Sequence, residues 1–188
     1  MKAIFFDSNA TLLAKNLLPI AHHISENESD FLAVFISAEI ASNVDPEIEE
    51  KSIANITDNI NYQYIRFKSF NINAIVSILK EINPDFVFID CYRVIDQLWL
   101  GISNRLGIKT YYMQHGFEIN SVYYKPFSII TKFGKGIRLL EALYNLSKLL
   151  DVGAYPLFKQ YMRYIYYGDS LKSTYLGNHN LHPQLSFV

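Results

Sequence analysis

Apolar residues come in short unbroken runs, separated by stretches where they recur every three or four positions, a pattern that predicts strands interleaved with helices. Lys2 to Phe6 reads as a short buried strand. Asp7-Ser8-Asn9 then breaks the run with polar groups suited to capping a helix from about Ala10 to Ser25. In that helix Leu12, Leu13, Leu17, Ile20, Ala21 and Ile24 share a face, and Pro19 is where it would bend. Phe31 to Ser37 predicts the second strand. Residues 41–60 are rich in Asn, Asp, Glu and Ser, with Ile48, Ile53, Ile56 and Ile60 spaced for a surface helix or a mobile loop, and both readings stay open.

Tyr62 to Phe67 predicts the third strand. Ile72, Ile75, Val76, Leu79 and Ile82 mark a helix that Asn83-Pro84 stops, and Asp85 to Asp90 is the fourth strand. A helix from Val94 to Leu106 ends at Gly107, placed as its carboxyl cap, before a fifth strand from Ile108 to Gln114. This order predicts right-handed crossovers and an α/β, Rossmann-like, mostly parallel sheet with helices on both faces. The texture changes after residue 122. Residues 123–188 read as a basic, tyrosine-rich extension with helices at Ile137 to Leu150 and Pro156 to Tyr167. Its last apolar run, from His182 to Val188, predicts a final strand. The natural chain is expected to continue past Val188.

With 188 residues and 50% hydrophobic content, the chain can form one domain with a substantial core. One cysteine, Cys91, gives no disulfide framework and favours a reducing, cytoplasmic setting. Asp7 interrupts the first apolar run too early for a signal peptide, and no apolar stretch is long enough to span a bilayer. The net charge of −1 hides an asymmetry. Residues 1–122 hold nine Lys/Arg against 15 Asp/Glu, whereas residues 123–167 hold seven against two.

In a parallel sheet, ligands bind beyond the carboxyl ends of the strands. That edge collects Asp7-Ser8-Asn9, Ser37-Ala38-Glu39, Asp90-Cys91-Tyr92 and Gln114-His115-Gly116. The candidate site residues are therefore Asp7, Ser8, Asn9, Asp90, Gln114 and Gly116, with His115 as a general base. A hydrogen-bonded turn histidine and helix-capping aspartates explain the same residues equally simply. Neither G-x-G-x-x-G after the first strand nor G-x-x-x-x-G-K-[ST] occurs, which disfavours a dinucleotide or P-loop site. His22-His23, His179 and His182 lack the partners of a zinc set, so neither a metal nor another cofactor is expected.

Three readings suit the basic segment. It covers the core with a solvated outer face, or it settles on an anionic membrane through Lys125, Lys132, Lys135, Arg138 and Lys148, or it binds nucleic acid. Nucleic acid is the least favoured, because the pI is near 6.5.

Three of these segments carry a family resemblance: Leu17-Leu18-Pro19-Ile20-Ala21, Pro84-Asp85-Phe86-Val87-Phe88-Ile89-Asp90, and Leu106-Gly107-Ile108 through Gln114-His115-Gly116. With them, residues 1–118 resemble the amino-terminal domain of GT-B glycosyltransferases, particularly bacterial enzymes of capsule and surface-polysaccharide synthesis. The resemblance implies an acceptor-binding half, inactive alone, with most nucleotide-sugar contacts in a carboxyl-terminal half. It also implies His115 acting on an acceptor hydroxyl, and a lipid-linked or surface-glycan acceptor met at the inner membrane face. Sugar-nucleotide epimerases share this architecture.

Phe5-Phe6-Asp7-Ser8-Asn9-Ala10-Thr11-Leu12-Leu13 also resembles the nucleophile loop of haloacid-dehalogenase-type phosphatases. Asn9 stands where that family has its general acid, and an amide cannot supply the proton. A non-catalytic domain recruited to a membrane or partner is the third class.

Overall fold

The computed structural model describes residues 1–7, 13–38, 51, 53, 60–67, 69–89, 94–113, 133–151, 153–159 and 185–187. The elements in chain order are β1 (Lys2–Asp7), a π-helical stretch (Leu13–Leu17) continuing into α1 (Leu18–Asn27), β2 (Leu32–Ala38) and β3 (Tyr62–Phe67). They continue with α2 (Ile72–Ile82), β4 (Phe86–Ile89), α3 (Val94–Arg105), β5 (Lys109–Met113), α4 (Phe133–Leu150), helical residues 154–159 (α5) and β6 (Leu185–Phe187).

Six strands form one sheet in the order β3-β2-β1-β4-β5-β6. Every neighbouring pair is parallel, so the expected Rossmann-like sheet is present, and its last strand is the one expected near the end of the chain. Strands buried on both faces need apolar residues throughout rather than alternation, which is why β1 and β2 read as Ala-Ile-Phe-Phe and Ala-Val-Phe-Ile. One face of β1 and β2 presents Ala3, Phe5, Ala33 and Phe35 to Leu13, Leu17, Leu18 and Ala21. The other presents Ile4, Phe6, Val34 and Ile36 to a larger cluster built from α2, α3 and α4. Helices therefore cover both faces, as the crossover rule requires.

The first helix departs from the expected continuous α-helix over residues 10–25. Its start lies outside the described residues, Leu13–Leu17 is wound more widely, and α1 proper begins with Pro19 in its first turn. Proline has no N–H to donate and its ring crowds the carbonyl four residues back. The tight spiral is therefore re-established only where a first-turn donor is not needed. Of the segment 41–60, Lys51 and Ile53 are helical, Ile53 is buried, and Ile48 and Ile56 lie outside the described residues.

The later boundaries follow local chemistry. At the start of α2, the Asn71 side chain accepts a hydrogen bond from the Asn73 N–H at 2.8 Å. Its end is the left-handed Asn83 (φ 50°) before Pro84, and α3 is terminated by Gly107 at φ 74°. The last predicted helix, Pro156 to Tyr167, begins slightly earlier, and residues 154–159 of it are described.

Helix α3 is buried from Ile95 through Ser103, because the sheet lies beneath it and α4 packs outside it. Arg105 donates to the carbonyl of Leu149, joining the carboxyl ends of the two helices. From within α4, the Asn145 amide donates to the carbonyls of Phe70 and Glu141, each at 3.0 Å, and Asn145 is 8% exposed. Asn145→Leu strands the Phe70 carbonyl in an apolar setting, at a cost of about 1–3 kcal/mol. A Tm lower by roughly 2–12 °C is the expected reading in thermal denaturation. An unchanged Tm would show that the amide holds nothing.

Candidate functional site

The strand order reverses direction between β1 and β4: the chain steps outward from β1 to β2 and β3, then returns to the opposite side of β1. In an open parallel sheet this reversal splays the following connections apart and leaves a crevice at the carboxyl ends. Asp7 ends β1 at that edge of the sheet and is 0% exposed.

Strand register puts Asp7 opposite Ser37 on β2, and Ser37 opposite Arg66 on β3. Paired positions of parallel strands share a face, so a carboxylate, a hydroxyl and a guanidinium occupy one row on the α1 side. Adjacent strands are about 4.8 Å apart, so the row spans roughly 10 Å. Ser37 Oγ and the Tyr64 hydroxyl lie 2.6 Å apart, a hydrogen bond that fixes the middle of the row.

The row rests on an aromatic layer. Two residues earlier on each strand, Tyr64, Phe35, Phe5 and Phe88 stand side by side in register, and Tyr111 continues the row on β5. Phe5 stacks on Phe88 at 5.0 Å and 6°, and Phe88 on Tyr111 at 5.0 Å and 18°. Stacked pairs of this kind each add about 0.5–1.5 kcal/mol beyond area burial. The polar row is thus held on a stiff floor. Chemically the row sets a buried carboxylate at one end, a guanidinium at the other, and the bonded Ser37–Tyr64 hydroxyl pair between them.

The first turn of α3 reaches the same edge and carries Asp96 and Gln97, 1% and 0% exposed. Sequence reasoning passed over Tyr64, Arg66, Asp96 and Gln97 as site residues. For Arg66 a signal existed: a charge next to the last position of a predicted strand.

Of the expected site residues, Asp7 is described and sits, buried, at the carboxyl end of β1. Ser8, Asn9, Asp90, Gln114, His115 and Gly116 lie outside the described residues, as do Lys125 and Lys132. The backbone positions of Lys135 and Arg138 lie in α4, and Lys148 is exposed near its end. Among the described residues no group of three His, Cys, Asp or Glu side chains is placed to hold a metal ion, and no helix is long and apolar enough to cross a membrane. Two open concavities lie away from the carboxyl ends of the strands. One runs along Lys15, Pro19, His22, His23 and Glu26, and the other sits near Lys2, Gln63 and Glu81.

No protein-family model matches the chain, and no curated protein matches it. Among solved structures, UDP-GlcNAc 2-epimerase from Neisseria meningitidis bound to UDP-GlcNAc is similar over 77% of this chain and 39% of its own, at 10% identity and a TM-score of 0.45. A putative UDP-N-acetylglucosamine 2-epimerase from Listeria monocytogenes is similar over 77% and 36%, at 8% identity and 0.45. A ugt transferase from Siraitia grosvenorii in complex with UDP is similar over 60% and 27%, at 10% identity and 0.43. The chain spans between about a quarter and two fifths of the length of these proteins.

Proposed function

We propose that this chain is the acceptor-side domain of a GT-B glycosyltransferase, one that moves a sugar from a nucleotide-sugar donor to a surface-glycan or lipid-linked acceptor. The observation that carries the reading is the reversal of strand order beside Asp7, with the row Asp7, Ser37 and Arg66 crossing the carboxyl edge. Hydroxyl-rich ligands with an anionic group match that row.

In this reading Asp7, Ser8, Asn9, Asp90, Gln114 and Gly116 line the cleft and orient the acceptor. His115 accepts the proton of the acceptor hydroxyl as its oxygen bonds to the anomeric carbon. The nucleoside diphosphate leaves with the electrons of the broken C–O bond, and a second domain supplies most of its contacts. The proposed setting is the cytoplasm, at the inner face of the membrane, with capsule-type glycans as the product class.

The test incubates the complete natural protein with UDP-GlcNAc, UDP-glucose and GDP-mannose, with and without a lipid extract from the source cells, and identifies products by mass spectrometry and NMR. Acceptor-dependent release of nucleoside diphosphate is the expected result. Inversion of the sugar while it remains attached to the nucleotide would replace the transferase with an epimerase working at the same edge. Magnesium-dependent hydrolysis of p-nitrophenyl phosphate that vanishes in Asp7→Asn would replace it with a phosphatase.

A further inference from the structure

We infer that the outer face of α4 is an interface between two copies of this chain, paired antiparallel about a two-fold axis at Tyr144. Large apolar side chains left exposed among the described residues concentrate on this flank. Leu140 and Tyr144 are each 52% exposed, and Tyr155 and Phe158, just beyond the carboxyl end of α4, are 75% and 39% exposed. Their exposure does not come from loose attachment. The opposite face of α4 buries Ala142, Leu143, Leu146 and Leu149, and Leu157 anchors α5. Outward-facing apolar side chains grouped on a firmly packed helix mark an interaction site.

Charge selects the occupant. Between residues 140 and 151 the exposed positions are Leu140, Glu141, Tyr144, Lys148 and Asp151, and Lys159 is exposed on α5. The described charges of the flank therefore cancel, Lys148 and Lys159 against Glu141 and Asp151, and neither a polyanion nor a polycation gains from such a face. A second copy does. A two-fold contact sets each residue of a patch against a different residue of the same patch, so a face carrying both signs can satisfy itself.

Helix geometry then fixes the pairing. At 1.5 Å per residue, Glu141 lies about 4.5 Å before Tyr144 along the axis and Lys148 about 6 Å after it. In an antiparallel pair the second helix runs the other way, which brings its Lys148 within about 1.5 Å of the level of Glu141. In a parallel pair the two would stand about 10 Å apart. At about 100° per residue, Glu141 and Lys148 also fall on the same side of Tyr144, roughly 60° and 40° round from it, while Leu140 lies about 40° the other way. An antiparallel two-fold sets that side against the same side of the second copy, so each Glu141 meets the other copy's Lys148. Lys148 Nζ already lies 4.3 Å from the centre of the Tyr144 ring, which holds the ammonium at the middle of the face.

Helix α3 runs from the carboxyl edge of the sheet to the opposite one, and Arg105 joins its end to that of α4, so α4 runs the same way. Antiparallel α4 helices therefore point the carboxyl edges of the two sheets in opposite directions, and the contact covers neither. The pairing does not depend on the chemistry proposed for those edges.

The experiment is analytical ultracentrifugation of the full chain across the micromolar range, where a dimer is expected. Glu141→Lys and Lys148→Glu each set like charges face to face at two places, and each should raise the dimer Kd at least about tenfold. Both side chains are exposed, so Tm should not change. Mixed in equal amounts, the two variants should pair with each other about as tightly as the unsubstituted chain pairs with itself, because opposite charges again face one another. A monomer throughout that range would overturn the proposal. So would a dimer that both substitutions leave intact, or a mixture of the two variants that stays monomeric.

Discussion

The His115→Ala enzyme is expected to turn over its nucleotide sugar about 10²–10⁴ times more slowly than the unsubstituted enzyme, with KM little changed. A base that removes the acceptor proton acts on the transition state and not on the bound ground state, so the loss belongs in kcat. The described part of β5 ends at Met113 on the same sheet edge as Asp7, and His115 comes two residues later in the sequence. Steady-state kinetics on the complete protein decides the matter. Unchanged turnover would leave His115 as a turn residue and remove the base from the mechanism. Asp7→Asn is the useful companion, because the transferase reading gives Asp7 an orienting role and the phosphatase reading makes it the nucleophile. Complete loss of a magnesium-dependent activity in that variant would decide for the phosphatase.

The second large effect is on stability. Trp99→Ala should cost about 3–5 kcal/mol, a large share of the 5–15 kcal/mol that holds a typical domain folded. Trp99 is 0% exposed, stacks on Phe6 at 4.6 Å and meets the edge of Phe67 at 5.3 Å, so it joins α3 to both β1 and β3. Its indole N–H has no hydrogen-bond partner among the described residues. Trp99→Phe therefore surrenders no hydrogen bond and should cost far less than Trp99→Ala. Urea unfolding of the two variants checks the ordering, and equal costs would mean that the indole N–H does hold a partner. Trp99 is the only tryptophan, so its fluorescence in the unsubstituted protein reports unfolding without a label.

β1, β2, β4 and β5 were legible as apolar runs closed by a polar residue, β3 by its alternation, and helix ends because Asn83 and Gly107 are residues that tolerate left-handed backbone. The π-helical turns before Pro19 were not, since proline announces a disturbance without saying whether the chain bends or widens. The buried Asp96 and Gln97 were hidden for a different reason. Helical periodicity assigns polar residues to water, and only α4, which arrives almost forty residues later, closes the outside of α3. Arg66 was visible as a charge, but its place beside Ser37 and Asp7 depends on a register set by three strands far apart in sequence. Local pattern fixes elements, while long-range pairing assembles the site.

Because β1 lies between β2 and β4, the first strand of this sheet to be synthesised is also the one that must wait longest for its second neighbour. Residues 32–38 can close one side early, but residues 86–89 follow some eighty positions after the start of β1. At 5–20 residues per second that interval is about 4–16 s. Throughout it, Ala3 to Phe6 offers an unpaired, wholly apolar edge, the kind that recruits stray strands. The nascent chain is therefore expected to need a holding chaperone until β4 is made, and to aggregate when translation pauses between β2 and β4.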